Sequence, residues 1–217
     1  MYKTVVFDLD GTLLNTLTDL ADAGNRLCRK YGWPTHERQA YRYFVGNGIP
    51  KLVERLAPAD QRTPAVLEEA LADFKRDYGQ HLRDTTAPYP GIPEMLAKLK
   101  ANGVQLAVFS NKADALAKEV VKDYFGTQYF TIVRGQMTGV APKPAAEGTN
   151  ALLQALHADP ASTLYVGDSN VDVETAHNAN LPCCGAVWGF RTREELNAAG
   201  AEYLAENSDE LYDVIMK

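Results

Sequence analysis

Two aspartates stand two residues apart at the end of an apolar run, in the segment FDLDGTLLNT that begins at Phe7. Asp8 and Asp10 flank a single leucine. Two like charges this close resist joint ionisation unless a positive charge lies near both of them. The spacing therefore raises the question of a cation that accompanies the pair.

Two later segments also place polar groups at the ends of predicted strands. The run VQLAVFS ends at Ser110 and is followed by Asn111, and the run TLYVGD ends at Asp168, with Asp172 four residues beyond it. In an open α/β sheet, ligands bind in the crevice outside the carboxyl ends of the strands. We therefore expect these side chains to converge with those of the first strand, which ends at Asp8.

Lys143 lies between these segments, in APKPAAEG, just before a helix that Pro144 is expected to open. A helix N-terminus offers unpaired N–H groups and a partial positive charge, and the lysine adds a full one. The combined set of carboxylates, hydroxyl, amide and lysine suits a hard cation such as Mg²⁺ together with a phosphate group. Mn²⁺ accepts the same oxygen ligands, so the residues leave the choice between these metals open.

The elements that must position these residues alternate along most of the chain. Short β-rich runs followed by helical patterns predict an α/β fold, with a parallel sheet and helices on both faces. The predicted strands span residues 3–8, 104–110, 130–133, 163–168 and 182–187. Between residues 16 and 84 the patterns are amphipathic helices, one of them opened by Thr63 and Pro64. We expect a core domain of residues 1–15 and 85–217, with a helical domain of residues 16–84 inserted after the first strand.

Composition narrows the classes of partner. The 22 Lys and Arg residues against 28 Asp and Glu give a net charge of -6, and the absence of a basic tract argues against a nucleic-acid partner. No apolar run is long enough to cross a bilayer, and the N-terminus lacks the pattern of a signal peptide, so we expect a cytoplasmic protein that does not bind membranes. The three cysteines form no CxxC, and we expect them to be buried free thiols.

Taken together, four segments resemble the signature motifs of the haloacid dehalogenase superfamily of phosphatases. They are Asp8-Leu9-Asp10-Gly11-Thr12, Ser110-Asn111, Lys143 and Gly167-Asp168-Ser169-Asn170-Val171-Asp172. The resemblance covers essentially the whole chain and implies a Rossmann-like core with a helical cap, and a Mg²⁺-dependent phosphatase that acts on a small phosphate monoester. Each motif alone also has a structural explanation, as a turn, a strand exit, a surface lysine or a helix cap. Four such motifs in this order favour the catalytic interpretation.

The mechanism of that superfamily implies a role for each matching residue. Asp8 would be the nucleophile that forms an aspartyl-phosphate, and Asp10 the general acid and base. The implied metal ligands are Asp8, the backbone carbonyl of Asp10, and Asp168, with Thr12 and Asp172 supporting the site around them. The residues implied to hold the phosphoryl oxygens are Ser110, Asn111 and Lys143.

The substrate is indicated by one segment of the helical insertion. Residues 41–56, YRYFVGNGIPKLVERL, are similar to the corresponding segment of phosphoglycolate phosphatases, above all at Val45-Gly46-Asn47-Gly48. The resemblance makes Gly46, Asn47 and Gly48 candidates for a loop that faces the substrate, and phosphoglycolate the leading substrate. A glycine-rich link between two helices is the structural alternative. Arg42 and Lys51 flank the loop and are candidates to meet a substrate carboxylate.

Other functions share these motifs in part. A β-phosphoglucomutase-like phosphotransferase, and a pyrophosphatase or nucleotidase of the same fold, are the enzymatic alternatives. A non-catalytic module that binds a phosphorylated ligand is the alternative from a different class. The presence of Asp8, Asp10, Lys143 and Asp168 argues against that module, because binding alone would not require the acid–base pair.

Overall fold

The predicted α/β class is confirmed by the computed structural model, which describes residues 1–217. Eight strands occur in chain order: β1 (Thr4–Phe7), β2 (Leu14–Asn15), β3 (Ala87–Pro88), β4 (Gln105–Ala113), β5 (Phe130–Gln136), β6 (Thr163–Gly167), β7 (Cys183–Ala186) and β8 (Tyr203–Ala205). Six of them form a parallel sheet in the order β5-β4-β1-β6-β7-β8, and β2 pairs with β3. The short strand β8 at the edge of this sheet was not predicted.

Strand β1 lies in the middle of the sheet, and all four of its residues are buried. Burial of consecutive residues is typical of a parallel strand that is covered on both faces. Phe7 pairs with Val108 of β4 on one side and with Val166 of β6 on the other. Because the three strands run in the same direction, the residues that follow them emerge together at one edge of the sheet.

The helices fall into two groups, which belong to two compact units. The unit of residues 15–87 contains α1 (Leu17–Tyr31), α2 (Arg38–Phe44), α3 (Ile49–Leu56) and α4 (Pro64–His81). The unit of residues 1–14 and 88–217 contains α5 (Ile92–Ala101), α6 (Asp114–Phe125), α7 (Ala146–Leu156), α8 (Asn170–Asn178), α9 (Arg193–Ala199) and α10 (Ser208–Met216). Among these ten helices, none combines the length and the apolar character that crossing a bilayer requires.

The core of the sheet-containing unit is built on side chains that alternate along the central strands. Val6, Ala107 and Tyr165 belong to one buried cluster with Leu152 of α7 and Val173 of α8. Burying such apolar surface is the main favourable term in folding. Two of the three free cysteines, Cys183 and Cys184, are buried on β7, and the third is buried in α1, as predicted.

One predicted helix start is wrong. Helix α7 begins at Ala146, two residues after Pro144, because Ala145 still has an extended backbone and is the N-cap residue. The peptide bond between Lys143 and Pro144 is cis. Lys143 and Pro144 lie in a turn, in which the N–H of Ala145 donates a hydrogen bond of 3.0 Å to the carbonyl of Pro142.

The helical unit has its own core of aromatic residues. Tyr41, Phe74 and Tyr78 are fully buried. Gly24 of α1 makes the packing of Tyr41 possible, because a Cβ at this position would lie 2.5 Å from the tyrosine ring. Thr63 caps α4 by accepting a hydrogen bond from the N–H of Val66, as predicted.

The buried carboxylate of Asp19 links the beginning of this unit to its end through hydrogen bonds. Asp19, in the first turn of α1, accepts hydrogen bonds from the backbone N–H groups of Thr85 and Thr86, each at 2.9 Å, and from both threonine hydroxyls. These bonds satisfy the charge of Asp19, which is 2% exposed. They hold Thr85 and Thr86 within the helical unit.

Candidate active site

The predicted site residues meet at the carboxyl edge of the sheet. Asp8 follows β1, and its N–H donates a hydrogen bond of 2.8 Å to the carbonyl of Val166 in β6. Asp168 follows β6, and Asp172 lies in the first turn of α8. One carboxylate oxygen from each of Asp8, Asp168 and Asp172 lies within 4.8 Å of the other two. This trio of buried acids is a candidate site for a hard cation.

Lys143 lies among these acids with its side chain 2% exposed. Its Nζ is 2.7 Å from Oδ1 of Asp172 and 2.9 Å from Oδ1 of Asp8. It also donates hydrogen bonds to the hydroxyl of Tyr165 at 3.2 Å and to the carbonyl of Phe109 at 3.3 Å. The contact with Asp8 is an ion pair without hydrogen-bond geometry, and Oδ1 of Asp8, which is buried, makes no hydrogen bond. Apart from the ion pair with Lys143, the hydrogen-bonding capacity of this buried oxygen is therefore unused.

Asn111 holds the main chain of Lys143. Its side-chain oxygen accepts a hydrogen bond of 2.8 Å from the N–H of Lys143, and its side-chain nitrogen donates one of 3.2 Å to the carbonyl of the same residue. The sequence motif implies that the Asn111 amide holds a phosphate, and it gives no sign of this second role. The nearby hydroxyl of Ser110, which is buried, accepts a hydrogen bond from the N–H of Lys112.

Asp168 is fixed by the turn that follows Asp8. Its Oδ1 accepts a hydrogen bond of 2.9 Å from the hydroxyl of Thr12, and its Oδ2 accepts one of 2.8 Å from the N–H of Phe190. Gly11 has a φ of +93°, and a Cβ there would lie 2.3 Å from Oδ2 of Asp168. The close approach of this carboxylate to the backbone therefore requires glycine at position 11.

Asp172 combines a structural role with a place in the site. Its Oδ2 accepts hydrogen bonds from the N–H and the hydroxyl of Ser169, which completes a capping box at the start of α8. Its Oδ1 pairs with Lys143. One carboxylate therefore anchors both a helix terminus and the lysine.

Asp10 faces a lysine that sequence analysis missed. Nζ of Lys112 lies 3.1 Å from Oδ1 and 3.2 Å from Oδ2 of Asp10. Lys112 is the residue directly after Ser110 and Asn111, and that position, at the end of a strand that leads into the site, is the signal that could have identified it. Trp188 was also missed, and its ring N–H donates a hydrogen bond of 3.0 Å to the carbonyl of Thr12.

The pKa values of two acids in the site, Asp8 and Asp168, are raised. Burial raises the pKa of Asp8 to about 6, against the attraction of Lys143, and repulsion by Asp172 and Asp10 adds to the rise. Burial and the neighbouring acids Asp172 and Asp8 raise the pKa of Asp168 well above its ordinary value. Raised carboxyl pKa values mean that ionisation of the cluster is costly without a further cation.

Lys143 and Lys112 supply two positive charges against the four carboxylates of Asp8, Asp10, Asp168 and Asp172. Burial lowers the pKa of Lys143, but the acids Asp172 and Asp8 outweigh burial and raise it overall. The lysine therefore stays charged, and full ionisation of the four acids would leave two negative charges uncompensated. A divalent cation with oxygen ligands fits this deficit in both charge and donor type.

The candidate loop of residues 46–48 in the helical unit is held by hydrogen bonds from Arg55. Gly46 and Gly48 have positive φ values of 105° and 81°, which favour glycine at both positions. Nη2 of Arg55 in α3 donates a hydrogen bond of 2.9 Å to the side-chain oxygen of Asn47, and Nη1 donates to the carbonyls of residues 43 and 44. Lys51, by contrast, pairs with Glu54 on the same helix at 2.9 Å. The fold of this loop is therefore specified by Arg55 as well as by its glycines.

Comparison with known proteins places this arrangement in one family. The family model described as haloacid dehalogenase-like hydrolase matches residues 5–186. A phosphoglycolate phosphatase of Thiobacillus denitrificans is 31% identical over 191 residues, which cover 87% of this chain and 84% of that protein. A phosphoglycolate phosphatase of Chromobacterium violaceum is 31% identical over 216 residues, or 98% and 96% of the two chains.

A solved structure extends the similarity to the whole fold. The crystal structure of a protein from Lactobacillus delbrueckii subsp. bulgaricus matches with a TM-score of 0.93 at 28% sequence identity. The match covers 99% of this chain and 98% of that one. The similarity therefore includes both the sheet-containing and the helical unit.

Proposed function

Because the chain belongs to the haloacid dehalogenase-like hydrolase family, we propose that it is a Mg²⁺-dependent phosphatase that hydrolyses a small phosphate monoester through an aspartyl-phosphate on Asp8. One observation carries this proposal. Lys143 and three buried carboxylates converge at the end of β1, where Oδ1 of Asp8 makes no hydrogen bond. The arrangement supports the proposal because it would bring a nucleophile, a cation site and a phosphate-binding lysine into one cluster.

The residues that would hold Mg²⁺ are Asp8, Asp168 and the backbone carbonyl of Asp10, with Asp172 and Thr12 supporting them. When bound, the ion would offset the repulsion among the acids and withdraw charge from a phosphoryl oxygen. Thr12 would keep Asp168 in place through the hydrogen bond to Oδ1. Asp172 would act through Lys143, because these two side chains form the shortest ion pair of the cluster.

The chemical steps follow from the two aspartates. Asp8 would attack phosphorus, so that an oxygen–phosphorus bond forms as the bond to the alcohol breaks, and Asp10 would give its proton to the departing oxygen. A water molecule would then attack the aspartyl-phosphate while Asp10 takes up its proton, and the release of phosphate restores Asp8. Lys143 and Ser110 would bind the equatorial oxygens, whose charge is spread in the transition state.

The best single candidate for the substrate is phosphoglycolate. Relatives that cover most of the chain, from Thiobacillus denitrificans and Chromobacterium violaceum, are named phosphoglycolate phosphatase. We infer that the helical unit is a cap that excludes water and selects the leaving group, with Gly46, Asn47 and Gly48 in the loop that faces the substrate. The positive φ values of both glycines give this loop a defined shape.

The proposal predicts Mg²⁺-dependent release of phosphate, fastest from phosphoglycolate in a panel that includes sugar phosphates, nucleoside monophosphates and pyrophosphate. Chelation by EDTA should abolish the release, and Mg²⁺ without substrate should raise the melting temperature, because a ligand that binds the folded state stabilises it. The Asp168→Asn protein, purified in parallel, should lose both effects. It also controls for contaminating phosphatases.

Three outcomes would contradict parts of this proposal. Release that persists in EDTA would argue against the metal. Isomerisation of a sugar phosphate without net release of phosphate would identify a phosphotransferase, if it also required a bisphosphate activator. Binding of phosphorylated compounds without turnover of any of them would leave a binding module.

Because Arg55 holds the candidate loop through hydrogen bonds, replacing it should change the substrate preference. Arg55→Met removes hydrogen bonds from a charged donor, each worth about 1.5–3 kcal/mol, and we expect kcat/KM for phosphoglycolate to fall by roughly tenfold. Turnover of p-nitrophenyl phosphate, which lacks the carboxylate, should fall less. The matched control is Arg62→Met, which removes a 3.0 Å hydrogen bond from an arginine to the carbonyl of Ala57, away from the loop. Equal losses for both esters in Arg55→Met would indicate that the loop does not select the substrate.

A further inference from the structure

The ion pair between Lys112 and Asp10 is formed by a buried lysine that contacts both oxygens of the carboxylate. The side chain of Lys112 is 2% exposed, and its ammonium lies almost equally far from both oxygens of the Asp10 carboxylate. A buried lysine requires a partner for its charge, since an unpaired charge in the interior is strongly unfavourable. A carboxylate held through both oxygens also has little freedom to rotate.

The backbone at Lys112 lies in a β-bulge between β4 and β5. Phe109 of β4 pairs with Arg134 of β5, and Ala113 pairs with Gln136, so four steps along β4 match two steps along β5. Such bulges occur next to active sites and redirect side chains. Lys112 lies inside this irregular stretch and not in a regular part of the strand.

A glycine on the neighbouring strand fixes the same backbone. A Cβ at Gly135 would lie 2.4 Å from the carbonyl oxygen of Lys112, so β5 approaches β4 closely at this point. The N–H of Gly135 donates a hydrogen bond of 3.0 Å to Oδ1 of Asp114, the first residue of α6. The position of Lys112 is therefore set by tight packing and not by the ion pair alone.

We propose that Lys112 is a positioning residue, which holds the Asp10 carboxyl group in the orientation needed for proton transfer to the departing alcohol. The inference rests on the proposed function, and it assigns Lys112 a role distinct from that of Lys143. Lys143 pairs with Asp8 and Asp172 and serves the phosphoryl group, whereas Lys112 pairs with Asp10 and serves the leaving group. Each of the two aspartates that flank Leu9 thus has a lysine of its own.

If Lys112 has this role, the loss of kcat/KM in a Lys112 variant should depend on the leaving group of the substrate. An alkyl phosphate needs a proton on its departing oxygen, whereas p-nitrophenyl phosphate releases a stable anion without one. The parameter kcat/KM reports the steps through the first irreversible one, the transfer to Asp8, and therefore excludes the later hydrolysis. A defect in the position of Asp10 should lower kcat/KM more for the alkyl ester than for the aryl ester.

The experiment compares Lys112→Met with Asp10→Asn, using both esters and the whole protein with Mg²⁺. We expect Asp10→Asn to lose kcat/KM for the alkyl ester at least about tenfold more than for the aryl ester, since general acids contribute roughly 10²–10⁴-fold. Lys112→Met should show the same bias, and Lys112→Arg should restore most of the alkyl activity. The Lys112→Met, Asp10→Asn double variant should match Asp10→Asn alone within about twofold, because coupled residues are not additive.

Several outcomes would overturn the inference. Equal losses for both esters in Lys112→Met, or a double variant whose losses multiply, would assign Lys112 a structural role while leaving the phosphatase intact. If Lys112→Met does not fold, Lys112→Gln, which keeps a hydrogen-bond donor without the charge, gives the same comparison. Inactivity of the wild-type protein toward both esters would instead contradict the proposed function itself.

Discussion

Replacing Asp8 with asparagine should abolish turnover without weakening the fold. The neutral amide cannot form an acyl phosphate, so we expect phosphate release to fall by roughly 10⁴-fold or more, as for other essential nucleophiles. The pKa of Asp8 is raised to about 6 because burial opposes its ionisation. A raised pKa means that ionisation at neutral pH costs stability, and asparagine avoids this cost. The melting temperature of the metal-free variant should therefore be no lower than that of the wild type.

Phosphate release and melting temperature together distinguish a catalytic role of Asp8 from a structural one, and mass spectrometry identifies the nucleophile. Rapid quenching of the wild-type reaction, followed by mass spectrometry, should find one phosphoryl group on the peptide that contains Asp8, and no such group in Asp8→Asn. A variant that melts at a markedly lower temperature would assign Asp8 to the fold. A phosphorylated peptide elsewhere in the chain would identify a different nucleophile.

Much of the scaffold of the site could be predicted because it depends on local patterns. The apolar run before Asp8 and the run that ends at Ser110 are buried strands, and the polar residues at their ends converge because parallel strands share one direction. The capping box of Thr192 and Glu195 at the start of α9 likewise joins residues only three positions apart. Each of these features is marked by a residue pattern within one short segment.

The parts that could not be predicted depend on register and on tertiary packing. The bulge that directs Lys112 toward Asp10 arises between β4 and β5, and no pattern within either strand reveals it. The side chain of Asn111 binds a backbone 32 residues further along the chain. A helix start at Pro144 was favoured by local preference, but Pro144 lies in a turn and the helix begins only after the extended residue Ala145.

Lys143→Met should damage both stability and activity, because the lysine lies among acids that would then repel one another. Removing one partner from a buried ion pair typically costs about 3–5 kcal/mol, and we expect a loss of this size in the free energy of unfolding measured with urea. Lys118→Met is the matched control. Lys118 pairs with Asp114 at 2.7 Å, but its side chain is 56% exposed, and exposed pairs contribute about 0–1 kcal/mol.

A second substitution tests whether the loss comes from repulsion. Asp172→Asn removes one of the charges that Lys143 balances, while its side-chain oxygen can still accept hydrogen bonds from Ser169. Added to Lys143→Met, it should recover stability, with a coupling of about 0.5–3 kcal/mol between the two sites. The double variant should not recover phosphate release, because the Lys143 ammonium that is proposed to bind the phosphoryl group is still missing. Recovery of activity with stability would show that Lys143 only neutralises Asp172, and the phosphate would then be bound by other groups.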